Sequence, residues 1–164
     1  MINCDSNLIG KRTLMLESFF LDGYQSKITT THGIYFSGKT MLYLLDKACI
    51  RYASTLEGRI EAIKKMMNYL NKTPLLIHPY EIGTFPTMSY KKLECVWIFN
   101  HQFDVEELSK GISQLTFFDG TCVTVNASKH VLLKQQQRLL TTISTYNLIH
   151  REKDLYIGND FREK

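Results

Sequence analysis

Apolar positions recur along this chain with two different periods. Residues 12–20, RTLMLESFF, are dense in leucine and phenylalanine and run into Asp22-Gly23. That dipeptide readily takes the positive φ angles of a tight hairpin turn, so a strand is expected on either side. YQSKITTT continues with β-branched residues, and Gly33 and Gly38 fence off Ile34-Tyr35-Phe36 as a further short strand. The period then changes. Met41, Leu45, Ala48 and Tyr52 recur at spacings of four, three and four, which predicts a helix with one buried stripe, capped by Ser37. Tyr43, Lys47 and Arg51 line another face. A break is expected at Gly58, after which Ile60, Ile63, Met67 and Leu70 restart the period in a second helix ending near Asn71, with Pro74 confirming the stop.

PLLIHPYEIGTFPT reads as two short extended pieces around Pro79 and Gly83, because proline and glycine so close together exclude a helix. ECVWIF has the continuous apolar run of a strand buried on both faces. QLTFF, Asp119-Gly120 and TCVTV form a hairpin expected to turn in two residues. Beyond Asn126, read as a cap, Val131, Leu132, Leu139, Leu140 and Ile143 mark an amphipathic helix whose other face carries Lys134, Gln135 and Arg138. The pattern fades over the last residues. Strands on both sides of a helical pair, with a helix at the end, predict a single α+β domain with an antiparallel-rich sheet.

Composition narrows the function more by exclusion than by indication. At 164 residues and 44% hydrophobic content the chain is sized for one core. The 20 basic and 16 acidic residues leave +4, an excess that defines a partner only if it is concentrated. Cys4, Cys49, Cys95 and Cys122 lie far apart without CxxC or CxxxH spacing, so reduced, packed thiols are expected and no zinc site. The five histidines share no spacing. No GxSxG, HExxH, GxGxxG or GxxxxGK[ST] occurs, and Asp104, Glu106 and Glu107 read as a solvated loop. The chain is therefore not expected to be an enzyme or to carry a cofactor or metal. No amino-terminal leader pattern and no stretch near the roughly 18 apolar residues of a spanning helix are found, which predicts a cytoplasmic protein away from the membrane.

The basic residues are concentrated in one place. Between 47 and 72, six lysines and arginines stand against Asp46, Glu57 and Glu61. Arg51 and Arg59 bracket Ala53-Ser54-Thr55, a small-residue loop whose N–H groups and hydroxyls suit phosphate oxygens at the start of the next helix. Lys47, Lys64 and Lys65 extend that surface, although Glu61 and Lys65 are spaced for an ordinary helix pair worth only ~0.2–0.5 kcal/mol. Lys134, Gln135 and Arg138 add long donors on another helix. The candidate DNA contacts are thus Lys47, Arg51, Arg59, Lys64, Lys65, Lys134, Gln135 and Arg138.

From about Asp46 to Ile143 the order of features resembles the ComK family of competence transcription factors. The matching residues are Cys49, Tyr52, Ser54-Thr55 and Gly58-Arg59, then Pro74, Pro79 and Phe85-Pro86-Thr87, then Cys95-Val96-Trp97-Ile98 and the hairpin from Leu115 to Val125. The resemblance implies a ComK-like DNA-binding domain over 1–146 with a tail at 147–164. It implies an activator of DNA-uptake genes that binds double-stranded, AT-rich promoter boxes largely through the minor groove, as a nucleoid-associated homo-oligomer. Asp154-Leu155-Tyr156-Ile157 is similar to the segment that the family presents to an adaptor-protease system. Where the family has a glycine this chain has Ala53, the family's double proline is the single Pro74, and the chain ends earlier than many members. These departures leave open an alternative, a non-catalytic regulatory paralogue that binds protein and binds DNA weakly or not at all.

Overall fold

A tight turn at Asp22 and Gly23, with φ of 55° and 81°, starts the fold. It joins β1 (Thr13–Leu21) to β2 (Tyr24–Thr30), as the dipeptide predicts, and β3 (Gly33–Ser37) completes a meander. These strands come from a computed structural model that describes residues 9–162, and side chains as far as 151. Cys4 lies outside the described residues.

Two helices follow, α1 (Met41–Ile50) and α2 (Leu56–Met67). Their caps differ from those read in the sequence. Thr40, not Ser37, caps α1: its Oγ1 accepts the Tyr43 N–H at 3.2 Å, while the buried Ser37 hydroxyl accepts from Lys39 N–H. The break lies at 51–55, not at Gly58. There the N–H of Ser54 reaches Cys49 O and that of Ala53 reaches Ile50 O, a Schellman pattern that requires Ala53 to be left-handed, at φ 61°. Gly58 sits in the first turn of α2, donating to the Thr55 cap at 3.0 Å. The second helix stops at Asn68, left-handed at φ 57°, so Leu70 falls beyond it and is 89% exposed.

The chain then forms β4 (Leu75–His78), β5 (Ile82–Pro86) and β6 (Trp97–Phe99). Every pairing is antiparallel, and the six strands are ordered β3-β2-β1-β6-β5-β4. Next come β7 (Phe103–Ser109), β8 (Ile112–Phe117) and β9 (Cys122–Val125), an antiparallel three-stranded sheet. Strand β7 corrects the loop expected around Asp104, Glu106 and Glu107: these carboxylates are exposed on an edge strand. The β8–β9 loop has three residues, Phe118 to Gly120, instead of two. Phe117 N–H donates to Thr121 O, and Gly120 takes the positive φ (88°) that such a loop needs.

The last helix, α3 (Lys129–Arg162), runs through the boundary drawn at 147. It is opened by Ser128, whose Oγ accepts from Val131 N–H at 3.2 Å, and not by Asn126. Alternation along β6 explains the layering. Trp97 and Phe99 pack with Leu44, Leu45 and Ala48 of α1 and Ile60 of α2, while Ile98 between them packs with Leu115 and Phe117 of β8 and Leu132 and Leu139 of α3. Each such side chain contributes roughly 1.5–3 kcal/mol on burial. The six-stranded sheet is therefore covered on both faces, and the molecule is a single α+β domain.

Gly83 lets α3 come close to β5, because a Cβ there would stand 3.1 Å from Leu139 Cδ1. Cys49 and Cys95 are buried thiols and Cys122 is exposed. Among the described residues no group of His, Cys, Asp and Glu could hold a metal, and no helix is long and apolar enough to cross a membrane.

Candidate nucleic-acid interface

The two arginines of the hinge are held by their own chain. Arg51 donates through Nη2 to Ile9 O and lies 5.9 Å from the Tyr52 ring centroid; Arg59 donates through Nη2 to Tyr52 O at 2.9 Å. Arg59 also has its Nε buried without a partner and sits beside Cys49, where burial pushes the thiol up to about 11 against the pull of the guanidinium. The amino end of α2, expected to be open to phosphate, is occupied. Asp46 Oδ1 accepts Leu56 N–H at 2.9 Å, so a carboxylate already interacts with the helix dipole there. At about 100° per residue, Arg59 and Lys64 point roughly 140° apart around α2, and the helix break does not bring them together.

The other expected contacts divide in the same way. Lys65 pairs with Glu61 at 3.8 Å. Lys47 stands 5.5 Å from the Tyr43 ring centroid, with Lys39 at 5.1 Å from it. Lys134 is exposed on α3. Gln135, expected on a solvated face, is buried: its Nε2 donates to Lys72 O and to Pro86 O, both at 2.8 Å. Arg138 stacks on Tyr69 at 4.0 Å and donates to Lys72 O, Asn71 O and Gln135 Oε1. These two side chains fasten the 71–73 segment and the end of β5 to α3.

What they fasten is a cleft. Asn68 and Lys72, with φ of 57° and 47°, turn the chain sharply after α2, so that Lys72 and Thr73 form one wall. The segment after β5 forms the other, folded on itself by Thr87 N–H to Val96 O and by Cys95 N–H to Lys92 O. Between them is a cleft of about 480 Å³ lined by Lys64, Lys72, Lys91 and Lys92 together with Ser89 and Tyr90, and by no carboxylate. Among the described residues none of the four lysines takes part in an ion pair. Thr73 is buried in the same wall with its Oγ1 lacking a hydrogen-bond partner. Four ammonium groups around one concavity raise the local concentration of a polyanion more than the same charges spread over a surface.

Only Lys64 of this group was legible as a candidate. Lys72 was counted in the basic excess, and Lys91-Lys92 stands out in the sequence only as a charged dipeptide. Asn71 lines the cleft beside Lys72 as well.

The paired helices, the buried strand Trp97–Phe99 beside the buried Cys95, and the β8–β9 hairpin occupy the places that the sequence motifs assign them. A comparison with protein-family models decides the matter: the model described as ComK protein matches residues 4–153. The chain belongs to the ComK family. No curated protein and no solved structure matches the chain. Membership in the ComK family points to a competence transcription factor.

Proposed function

We propose that this ComK family member is a sequence-selective DNA-binding activator of competence genes, and that the lysine cleft between α2 and the 87–93 segment takes the phosphate backbone. The observation that carries this reading is the convergence of Lys64, Lys72, Lys91 and Lys92 on one concavity without a carboxylate. Phosphate contacts of this kind supply affinity and register, while selectivity for AT-rich boxes comes from groove shape: narrow minor grooves are more electronegative and attract an inserted arginine. Arg51 suits that role, being exposed with one of its five N–H donors committed to Ile9 O. In this reading the protein acts as a homo-oligomer on DNA in the nucleoid, and its level is set by an adaptor-protease system. The side chains of Asp154-Leu155-Tyr156-Ile157, assigned to that system by resemblance, lie outside the described ones.

Fluorescence anisotropy on AT-rich and GC-rich duplexes tests it. Four neutralised phosphates give a slope of log affinity against log salt of about −3.6, and each lysine replaced by alanine should reduce its magnitude by about 0.9. The AT-rich duplex should bind more tightly. Equal affinity for both duplexes, or a slope unchanged in the Lys64→Ala, Lys72→Ala, Lys91→Ala, Lys92→Ala variant, overturns the reading.

The second reading, a regulatory paralogue with weak DNA binding, is favoured by one specific fact. Arg59, Gln135 and Arg138, three of the expected contacts, are committed to backbone carbonyls of the same chain. Absence of binding to either duplex at ~100 mM salt supports it over the first.

A further inference from the structure

The lysine cleft has a neighbour. Between α2 and Tyr90 lies a second concavity of about 380 Å³, with the buried Leu56 and Ile60 as its apolar part and the exposed Glu57 and Glu61 beside them. Lys64 and Tyr90 line both concavities, so the two adjoin. Together they are of the size of a small-molecule site, in which an apolar surface carries a few convergent polar groups.

The two ends call for different chemistry. The first has four ammonium groups, which only donate, and in its wall the buried Thr73 hydroxyl without a hydrogen-bond partner. An unpaired buried hydroxyl costs free energy that an accepting phosphate oxygen would recover. The second end has carboxylates, which only accept; Glu61 is engaged by Lys65 at 3.8 Å, and Glu57 is in no ion pair among the described residues. The backbone of duplex DNA suits the first end alone, because its sugars have no free hydroxyl and Glu57 and Glu61 repel its charge. A free nucleotide has both kinds of group, phosphates at one end and hydroxyl or amino donors at the other, joined through a flat ring system that suits an aromatic wall.

We propose that the joined cleft binds a free nucleoside triphosphate. Its phosphates lie among Lys64, Lys72, Lys91 and Lys92 and accept from Thr73, its base lies against Tyr90 over Leu56 and Ile60, and its donors face Glu57 and Glu61. The lysines are those assigned above to the DNA backbone, so nucleotide and duplex exclude one another and the nucleotide regulates DNA binding. That consequence rests on the proposed function, whereas the nucleotide site does not.

Isothermal titration calorimetry on the full chain without DNA, using ATP, GTP and inorganic triphosphate, reads the site directly. At least one of the two nucleotides should bind about fivefold or more tightly than inorganic triphosphate. Thr73→Val should weaken nucleotide binding at least about tenfold without lowering the melting temperature, because the hydroxyl has no partner to lose. Glu57→Gln with Glu61→Gln should lower the ratio of nucleotide to triphosphate affinity at least about threefold, and the ratio cancels the gain that any polyanion makes when two negative charges are removed. Circular dichroism melting establishes that each variant is folded. In fluorescence anisotropy the nucleotide should displace the AT-rich duplex from the parent chain, and at the same concentration should leave it on Thr73→Val. Nucleotides that bind no more tightly than inorganic triphosphate, a folded Thr73→Val that binds them undiminished, or an unchanged ratio in the glutamine variant overturns the site, whatever the chain does with DNA. A nucleotide that binds but leaves the duplex in place overturns the regulation. A chain that takes the nucleotide and neither duplex supports the site and refutes the activator reading.

Discussion

Ala53 holds a backbone conformation that suits glycine. With φ at 61° it supplies the left-handed turn that ends α1, and a Cβ in that region costs roughly 1–2 kcal/mol, partly offset by the lower chain entropy of alanine when unfolded. Ala53→Gly should therefore raise stability by about 0.5–1 kcal/mol and the melting temperature by ~1–4 °C, as scanning calorimetry would read it. A lower melting temperature would show that the Cβ makes a contact worth more than the strain. His101 makes the opposite kind of demand. It stacks on Phe118 at 5.7 Å, and burial holds its pKa below the ordinary 6.5, against hydrogen bonds to the backbone of Thr13 and Lys11 and the nearby Asp119, which raise it. A base with a depressed folded pKa is neutral in both states above 6.5 and penalises the fold as pH drops below that value. The parent chain should lose stability from pH 6.5 downwards, and His101→Gln should lose less over the same range in urea titrations.

The elements explain what could and could not be read in advance. The β1–β2 hairpin, the paired helices, β6 and the β8–β9 hairpin were legible because a turn dipeptide, a 3.6-residue period or an unbroken apolar run marked each one. Strand β7 was not, since only Phe103 and Val105 face the core and the charged and polar residues after them are exposed on an edge, too short an alternation to read. The break between α1 and α2 was misplaced for a related reason: glycine signals flexibility in a sequence, but here Gly58 is helical and the strained residue is an alanine. On α3 the spacing alone assigned Gln135 to the solvated face, although the carbonyls of Lys72 and Pro86 bury it. Gln135→Ala removes the donor shared by the two carbonyls, leaving Lys72 O with Arg138 alone, and should cost about 1–3 kcal/mol in denaturant unfolding. At the neighbouring contact, Gly83→Val forces Leu139 and Ile143 away from β5 and should cost about 1–3 kcal/mol, with Gly83→Ala intermediate. A neutral Gly83→Val would mean that α3 shifts along the sheet without loss.

For the whole molecule the informative comparison is between charges that hold the fold and charges that remain available. Arg59→Ala removes a bond to Tyr52 O and should lower the melting temperature while leaving the salt slope of DNA binding unchanged. Lys64→Ala should do the reverse, reducing the slope by about 0.9 with melting unaltered. If Arg59→Ala alone flattened the slope, the hinge, and not the cleft, would be the phosphate surface. The cleft escaped the sequence because its lysines come from three separated segments: the end of α2, the turn before β4 and the loop after β5. Proximity of that kind is created by topology, and no window of residues contains it.

One amide, on Gln135, grips both banks of that cleft at once. The distance between its lysines is thus a property of how the terminal helix is seated, far more than of the helix or loop from which the lysines extend. Lifting that helix off the sheet would release Lys72 O and Pro86 O together, and the two groups of lysines would then be free to part while the strands stayed paired.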